Sequence, residues 1–419
     1  MDKITRFKDM LATNRGKNVN ACLIYTLLWC LYYLQGILYA SGGIISQGVL
    51  LLVLVLSLYY ATKVVRQNNS PHFIKATTIF LGVYLVYFLL SYLDPTPIYV
   101  NFVMEQRVTA FGSLKTTLMS LLPIYAYYYF AKKGQLQNVG FYIIILLILT
   151  TFQFIRNQSN AIIEAATMGL DQDEFTNNIA YNFVQLIPLL FLFNKKPFWQ
   201  YATLLYALVF ILMGMKRGAI LVGVLCFVYF LYNSYKTSSP KGRKYIVLLS
   251  ICVLIGLGIY ATNFIAGSDY FAKRVEDTLE GNSSGRDAIY SSLLDHMLSR
   301  DNMGEIIFGE GLNKTVAISG LFAHNDWLEL GINQGLIGIV VYILFFMGLW
   351  VDVRQLKRQN KLIYGVLSMA FFIMFAMTLF SMSYSSLTIG IQLSLGIALA
   401  QIKCKKDCAN FTQIENFDN

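Results

Sequence analysis

Four positions in this 419-residue chain carry side chains suited to holding an anion or taking a proton: Lys216, Arg217, Arg286 and His324. Lys216 and Arg217 lie in Gly214-Met-Lys-Arg-Gly218, a tight turn between two apolar runs. Charge so close to apolar segments is costly. The pair therefore either snorkels toward lipid phosphates or is aimed at an anionic ligand. Arg286 follows the small polar run Asn282-Ser-Ser-Gly285, and spacing alone reads it as a solvated charge on an exposed helix end. His324 lies in Ala323-His-Asn-Asp-Trp-Leu-Glu329. Spacing alone makes it a helix-start residue satisfied by Asn325 or by backbone, whereas its chemistry makes it a candidate proton acceptor near neutral pH. Of the two other histidines, His72 beside Pro71 reads as incidental, and His296 falls on an amphipathic stretch.

Other chemistry is sparse. No glycine-rich loop is followed by Lys and Ser or Thr, and no His pair has metal-ligand spacing. Asp171 and Asp173 read as a solvated loop. Cys404 and Cys408 have no second pair near them, and Cys22, Cys30, Cys226 and Cys252 fall in apolar blocks as small hydrophobes. No metal, cofactor or disulfide framework is expected. Without an ATP-binding motif, any reaction must be driven by its substrate or by a gradient.

The elements that would position these residues are membrane helices. Charged residues make up 13% of the chain against 56% hydrophobic, and the mean hydropathy is +0.54, where a soluble domain carries roughly 25% charge. Apolar blocks long enough to cross a hydrocarbon core as helices fall near 21–40, 45–62, 76–93, 115–131, 138–155, 180–194, 198–215, 218–235, 245–263, 335–352, 363–380 and 387–402. The expected fold is all-α and polytopic, with about twelve spans; the sixth is interrupted by Pro188 and the last is weakly hydrophobic. The polar, basic segment Met1–Asn20 does not read as a cleavable leader, so the first span is expected to stay.

The net charge of +10 does not signal nucleic acid, because the basic residues are spread over short loops between spans. With both termini inside, 23 of the 33 Lys and Arg fall in cytoplasmic segments, as retention during insertion requires. The expected order is a cytoplasmic N-terminus (1–20), nine spans (21–263), an extracytoplasmic loop (264–334), three spans (335–402) and a cytoplasmic tail (403–419). Arg107, Lys115, Arg156, Lys216 and Arg217 then lie on the outer side. The long loop holds eleven acidic and five basic residues. From Asp287 to Arg300, Ile289, Leu293, Leu294 and Met297 form one helical stripe, which could lie on the membrane or cap a cavity. Residues 304–320 contain four glycines and read as turns; the chain becomes helical again from His324.

The run Gly309-Glu-Gly311, Ala323-His-Asn-Asp-Trp-Leu-Glu329 and Gln334-Gly-Leu-Ile-Gly338 resembles the signature of the O-antigen polymerase and ligase superfamily (Wzy and WaaL). Lys216-Arg-Gly218 and Ser284-Gly-Arg286 match two further positions of that pattern, in the same order along the chain. The close resemblance covers about 215–345, with Lys216 standing where Ser or Thr is common. It implies a membrane glycosyltransferase acting on the outer face of the bacterial cytoplasmic (inner) membrane. The donor would be a glycan on undecaprenyl diphosphate, and the acceptor a sugar hydroxyl on a second lipid-linked repeat unit (a polymerase of O-antigen, capsule or exopolysaccharide) or on lipid A–core (a ligase). Polymerase is the reading favoured here. A chain-length regulator is a partner the resemblance allows. Arg217 and Arg286 would bind the diphosphate bidentately, and His324 would act as general base in one displacement with inversion, although a carboxylate could also serve as base. Lys216 and Arg156 would contact phosphate or glycan, and Asn325, Asp326 and Glu329 would orient His324 or meet the acceptor. A flippase for lipid-linked glycans is the rival from another class, and no internal repeat favours it.

Overall fold

The fold is given by a computed structural model describing residues 20–67, 69–93, 98–101, 106–136, 139–168, 176–193, 197–266 and 286–402. Asp171, Asp173, Cys404, Cys408 and the basic N-terminal segment 1–19 lie outside them. Within lipid no water is at hand for backbone N–H and C=O groups, so a long apolar run satisfies itself as a helix. Each apolar block accordingly meets one: α1 (Ala21–Tyr33), α2 (Ile44–Val65), α3 (His72–Leu90), α4 (Ala110–Lys132), α5 (Val139–Met168), α6 (Ala180–Leu186), α7 (Pro197–Met213), α8 (Arg217–Thr237) and α9 (Pro240–Ala266). Among the described residues, four short helices follow, α10 (Arg286–Leu298), α11 (Met303–Phe308), α12 (Lys314–Ser319) and α13 (Asp326–Asn333). Then come α14 (Gly335–Gln359), α15 (Lys361–Phe380) and α16 (Ile389–Ala400). Among the described residues, six helices, from α2, α3, α5, α8, α14 and α15, are long and apolar enough to cross a membrane. Shorter apolar helices include Ala21–Tyr33, Ala180–Phe193, Phe198–Met213 and Ile389–Ala400. The protein is an all-α, multi-pass membrane protein.

Three local features shape these elements. The first block stops at Tyr33, because Gly36 takes φ +76° and turns the chain. At Pro188 the sixth helix tightens into a 3-10 stretch, Ile187–Phe193, as a residue lacking N–H favours. The loop expected at 94–114 includes a small antiparallel hairpin, β1 (Ile98–Asn101) with β2 (Gln106–Val108), pairing Ile98 with Val108 and Tyr99 with Arg107.

Helix α16 is short rather than weakly apolar. Ile389 to Leu399 are all buried, and a helix apolar on every side belongs in an interior. Glycines let it approach its neighbours: a Cβ on Gly396 would stand 2.5 Å from that of Tyr127 in α4, and one on Gly390 would stand 2.7 Å from Leu186 in α6. Its Gln392 answers a defect in α4. Pro123 has no N–H to give the Met119 carbonyl one turn earlier, and Gln392 Nε2 donates to that carbonyl and to Ser120 O, both at 2.9 Å.

A second buried polar group serves α3. Pro71 caps that helix without a side-chain bond; instead Asp352 of α14, fully buried, accepts from His72 N at 3.2 Å and Phe73 N at 2.8 Å. His72 Nδ1 lies 3.1 Å from the same carboxylate, so His72 belongs to this cap. Lys63, Lys132, Lys133 and Lys236 rest 5.3–6.0 Å above tyrosine rings four residues earlier, within the range of cation–π attraction.

The segment 286–334 has its own small core. Leu293 and Ala323 and Ile332 are buried together, with Ile289, Met297, Ile318 and Leu328 packed on them. Three of the four stripe residues thus face protein, and Leu294 is 40% exposed; α10 covers α12 and α13. Gly309 and Gly335 close this unit onto α14. Both have positive φ, and a Cβ on Gly335 would stand 2.5 Å from Gly309 N and 2.6 Å from Ile307 O. We expect Gly335→Ala to lose about 1–2 kcal/mol from left-handed backbone alone, and more from the overlap. The matched control is Gly320→Ala, with φ +76° but open space around it. In thermal unfolding of the purified protein the first variant should fall well below the second.

Candidate active site

Lys216 and Arg217 are presented by a strained turn. Gly214 N closes α7 on Phe210 O at 3.0 Å, Met215 takes φ +49°, and Lys216 caps α8 without a side-chain bond. The turn is fixed by Asn177, which is 1% exposed: its N–H donates to Gly214 O at 2.8 Å, its Nδ2 to Phe154 O at 2.9 Å, and its Oδ1 accepts from Asn157 and from Ile179 N. Arg217 is the first residue of α8, where the helix dipole favours anions and disfavours cations. Two cations at that end suit a site whose ligand is negative.

Arg286 opens α10, with Tyr290 one turn later on the same face. His324 precedes α13 at φ +51°, a conformation costly for a residue with a Cβ. Its neighbours hold it there. Asn325 caps α13, accepting from Trp327 N at 3.0 Å and Leu328 N at 3.3 Å. Glu329, 1% exposed, accepts from Ala323 N at 2.7 Å through Oε1, and through Oε2 from the Thr315 hydroxyl and from Asn333 Nδ2.

These segments meet. Arg286 and Lys216 both act electrostatically on His324, and Arg286 and Asn325 both act on Tyr290. His324 is exposed as a residue, yet the protein packed around its ring disfavours the charged form, and the two cations add to this, lowering its pKa to about 4. The imidazole is therefore neutral at neutral pH, with one nitrogen ready to accept a proton.

Other expected site residues stand further back. Asp326 is fully buried; its Oδ2 accepts from the Tyr342 hydroxyl and from Ser383 N at 3.0 Å, and burial pushes its pKa well up. Burial also raises that of Glu329, against the donors Thr315, Ala323 and Asn333. Both carboxyls point into protein, so their place is in holding the His324 segment. The Arg156 guanidinium covers Gly36 and donates from Nη1 to the Gln35 carbonyl, which gives it a packing role at the turn after α1. His296 is part of a clamp: Glu310 meets its Nε2 at 2.6 Å, Arg300 at 2.7 Å and Lys314 at 3.5 Å. Arg300 also donates to Gly331 O and Ile332 O.

Sequence reasoning passed over Tyr290 and Asn177. For Tyr290 a signal existed, since it lies four residues after Arg286.

The His324 clamp makes a testable claim. Glu329→Gln keeps the size of the side chain but replaces one acceptor oxygen with a donor. It cannot then accept from Ala323 N and from Thr315 and Asn333 together. We expect roughly a tenfold or greater fall in turnover with little change in KM for the donor, read in a reconstituted transfer assay.

Residues 202–343 match a protein-family model described as O-antigen ligase (Wzy_C). Lys216, Arg217, Arg286 and His324 all fall inside the matched segment, which supports the likeness to the O-antigen polymerase and ligase superfamily over that part of the chain. No curated protein matches the chain.

Proposed function

We propose that this protein is a polysaccharide polymerase that extends glycans carried on undecaprenyl diphosphate at the outer face of the inner membrane. The observation that carries this reading is the meeting of Arg286, Lys216 and a neutral His324 beside the start of α8. The acceptor hydroxyl of a second lipid-linked repeat unit attacks the anomeric carbon of the donor glycan. Its oxygen forms the new glycosidic bond as the bond to phosphate breaks, and the electron pair leaves with undecaprenyl diphosphate. The hydroxyl proton passes to His324. Attack opposite the leaving group inverts the anomeric carbon in one step.

Arg217 and Arg286 stabilise the charge gathering on the leaving diphosphate, since each guanidinium stays charged and presents a fork of donors. Lys216 adds a point charge. Sugar specificity is expected from the loops at 94–114, 156–180 and 264–334.

The description of the matched family favours a second reading, transfer to lipid A–core by a ligase. Purified protein in proteoliposomes, supplied with lipid-linked repeat units, separates them. A ladder of longer glycans supports polymerase. Transfer only when lipid A–core is added supports ligase, and transfer to neither supports a flippase. Activity is expected to survive EDTA; its loss would overturn a step driven by cationic side chains alone.

A further inference from the structure

Tyr181 lies in the first turn of α6, and its ring is 6% exposed. Its hydroxyl is sealed from solvent and meets no hydrogen-bond partner among the described residues. A buried hydroxyl without a partner is destabilising, and phenylalanine would remove the cost. The oxygen rests against the backbone of Gly218, the second residue of α8: a Cβ there would stand 2.1 Å from it and 3.2 Å from Phe380 Cβ. Arg286 and Tyr290 act electrostatically on the same hydroxyl. The donor is thus held at the first turn of α8, next to Lys216 and Arg217 in sequence and within the field of Arg286.

We infer that the Tyr181 hydroxyl donates a hydrogen bond to a phosphoryl oxygen of the donor diphosphate, and is a further binding residue of this site. The inference rests on the proposed function, since it takes the anion at the start of α8 to be that diphosphate. Gly218 explains how one ligand reaches both groups. With no side chain there, an oxygen approaching the first-turn amides of α8 comes within reach of the hydroxyl. The phenol adds a donor beside the first turn of α8, on an element separate from the two guanidiniums.

The test is Tyr181→Phe in the full-length protein in nanodiscs, with undecaprenyl diphosphate and inorganic pyrophosphate as probes. The expected result combines an unchanged or raised Tm with about tenfold weaker binding of both probes and a similar fall in kcat/KM for glycan transfer. Wild-type affinity and transfer together with a raised Tm would overturn the role, because the hydroxyl would then be an unused polar group. A lowered Tm would overturn it as well, by revealing a partner within the protein. Weakening for the lipid but not for pyrophosphate would place the contact away from the diphosphate and also sink the proposal. Arg217→Ala and Arg286→Ala, measured alongside, keep the two readings apart. If they bind both probes normally, the site assignment fails; if they lose binding while Tyr181→Phe keeps it, only the hydroxyl's role fails.

Discussion

Arg217→Ala and Arg286→Ala will each cut glycan transfer by on the order of a thousandfold, while the protein still inserts and purifies as a folded species. The leaving group of the proposed reaction is a diphosphate, and charge collects on it as the glycosidic carbon departs. Groups arranged beforehand around that charge act mainly on the transition state, so the loss should appear chiefly in kcat. Arg217 stands at the first position of α8 and Arg286 at the first position of α10, on separate elements. The double variant should therefore lose little beyond the worse single one if both grip the same diphosphate. Lysine at either position keeps the charge and loses the fork of donors, so we expect recovery of less than about a tenth of wild-type rate. Single-turnover transfer in proteoliposomes measures these rates, and membrane yield with thermal unfolding checks integrity. Near-normal transfer by either alanine variant would remove that arginine from the mechanism.

The second large effect concerns His324 and pH. A general base must be deprotonated, so activity rises with pH through its pKa and then levels. In the free protein that pKa sits at about 4, lowered by crowding around the ring and then by Arg286 and Lys216. Since kcat/KM reports the free protein, its acid limb should fall near pH 4 and be flat at neutral pH. Binding a diphosphate changes the balance. Its negative charge offsets the two cations, the imidazolium becomes less unfavourable, and the pKa climbs back toward the ordinary histidine value. The acid limb of kcat, which reports the complex, should therefore lie at higher pH than that of kcat/KM. His324→Ala should remove the limb and lower kcat by on the order of 10²–10⁴-fold. An unchanged limb in that variant would transfer the base role to a carboxylate.

Much of this arrangement was legible in the chain. Long apolar blocks become helices because lipid leaves the backbone no other partner, and their sequence bounds agree with the observed ones to within a turn or so at most ends. The cations at 216, 217 and 286 and the imidazole at 324 stood out because polar chemistry is scarce in so apolar a sequence. What could not be read depends on contacts between distant segments. Asp326 and Glu329 could equally orient His324 or meet an acceptor until Ser383 and Thr315 are known to lie against them. Tyr181 looks like an interfacial aromatic until Gly218 is placed beside it. Arg156 looks like a free outer cation until the turn at Gln35 and Gly36 closes on it. The turn glycines at 309 and 335 carry a similar lesson: their spacing is visible, but the reason for it is a backbone crossing between residues on either side of the loop.

Helix α16 bears on how such a protein is made. At 12 residues it is about 18 Å long, well short of the roughly 30 Å hydrocarbon core. It nevertheless sits among helices that precede it in the chain, touching α4 at Tyr127 and α6 at Leu186. During synthesis those earlier helices enter the membrane while the place between them is still vacant, and the Met119 carbonyl left open by Pro123 waits for Gln392. The packing is complete only with this late, short segment in place. A chain ending before residue 389 is therefore expected to be less stable than the full-length protein, which its yield in membranes would read.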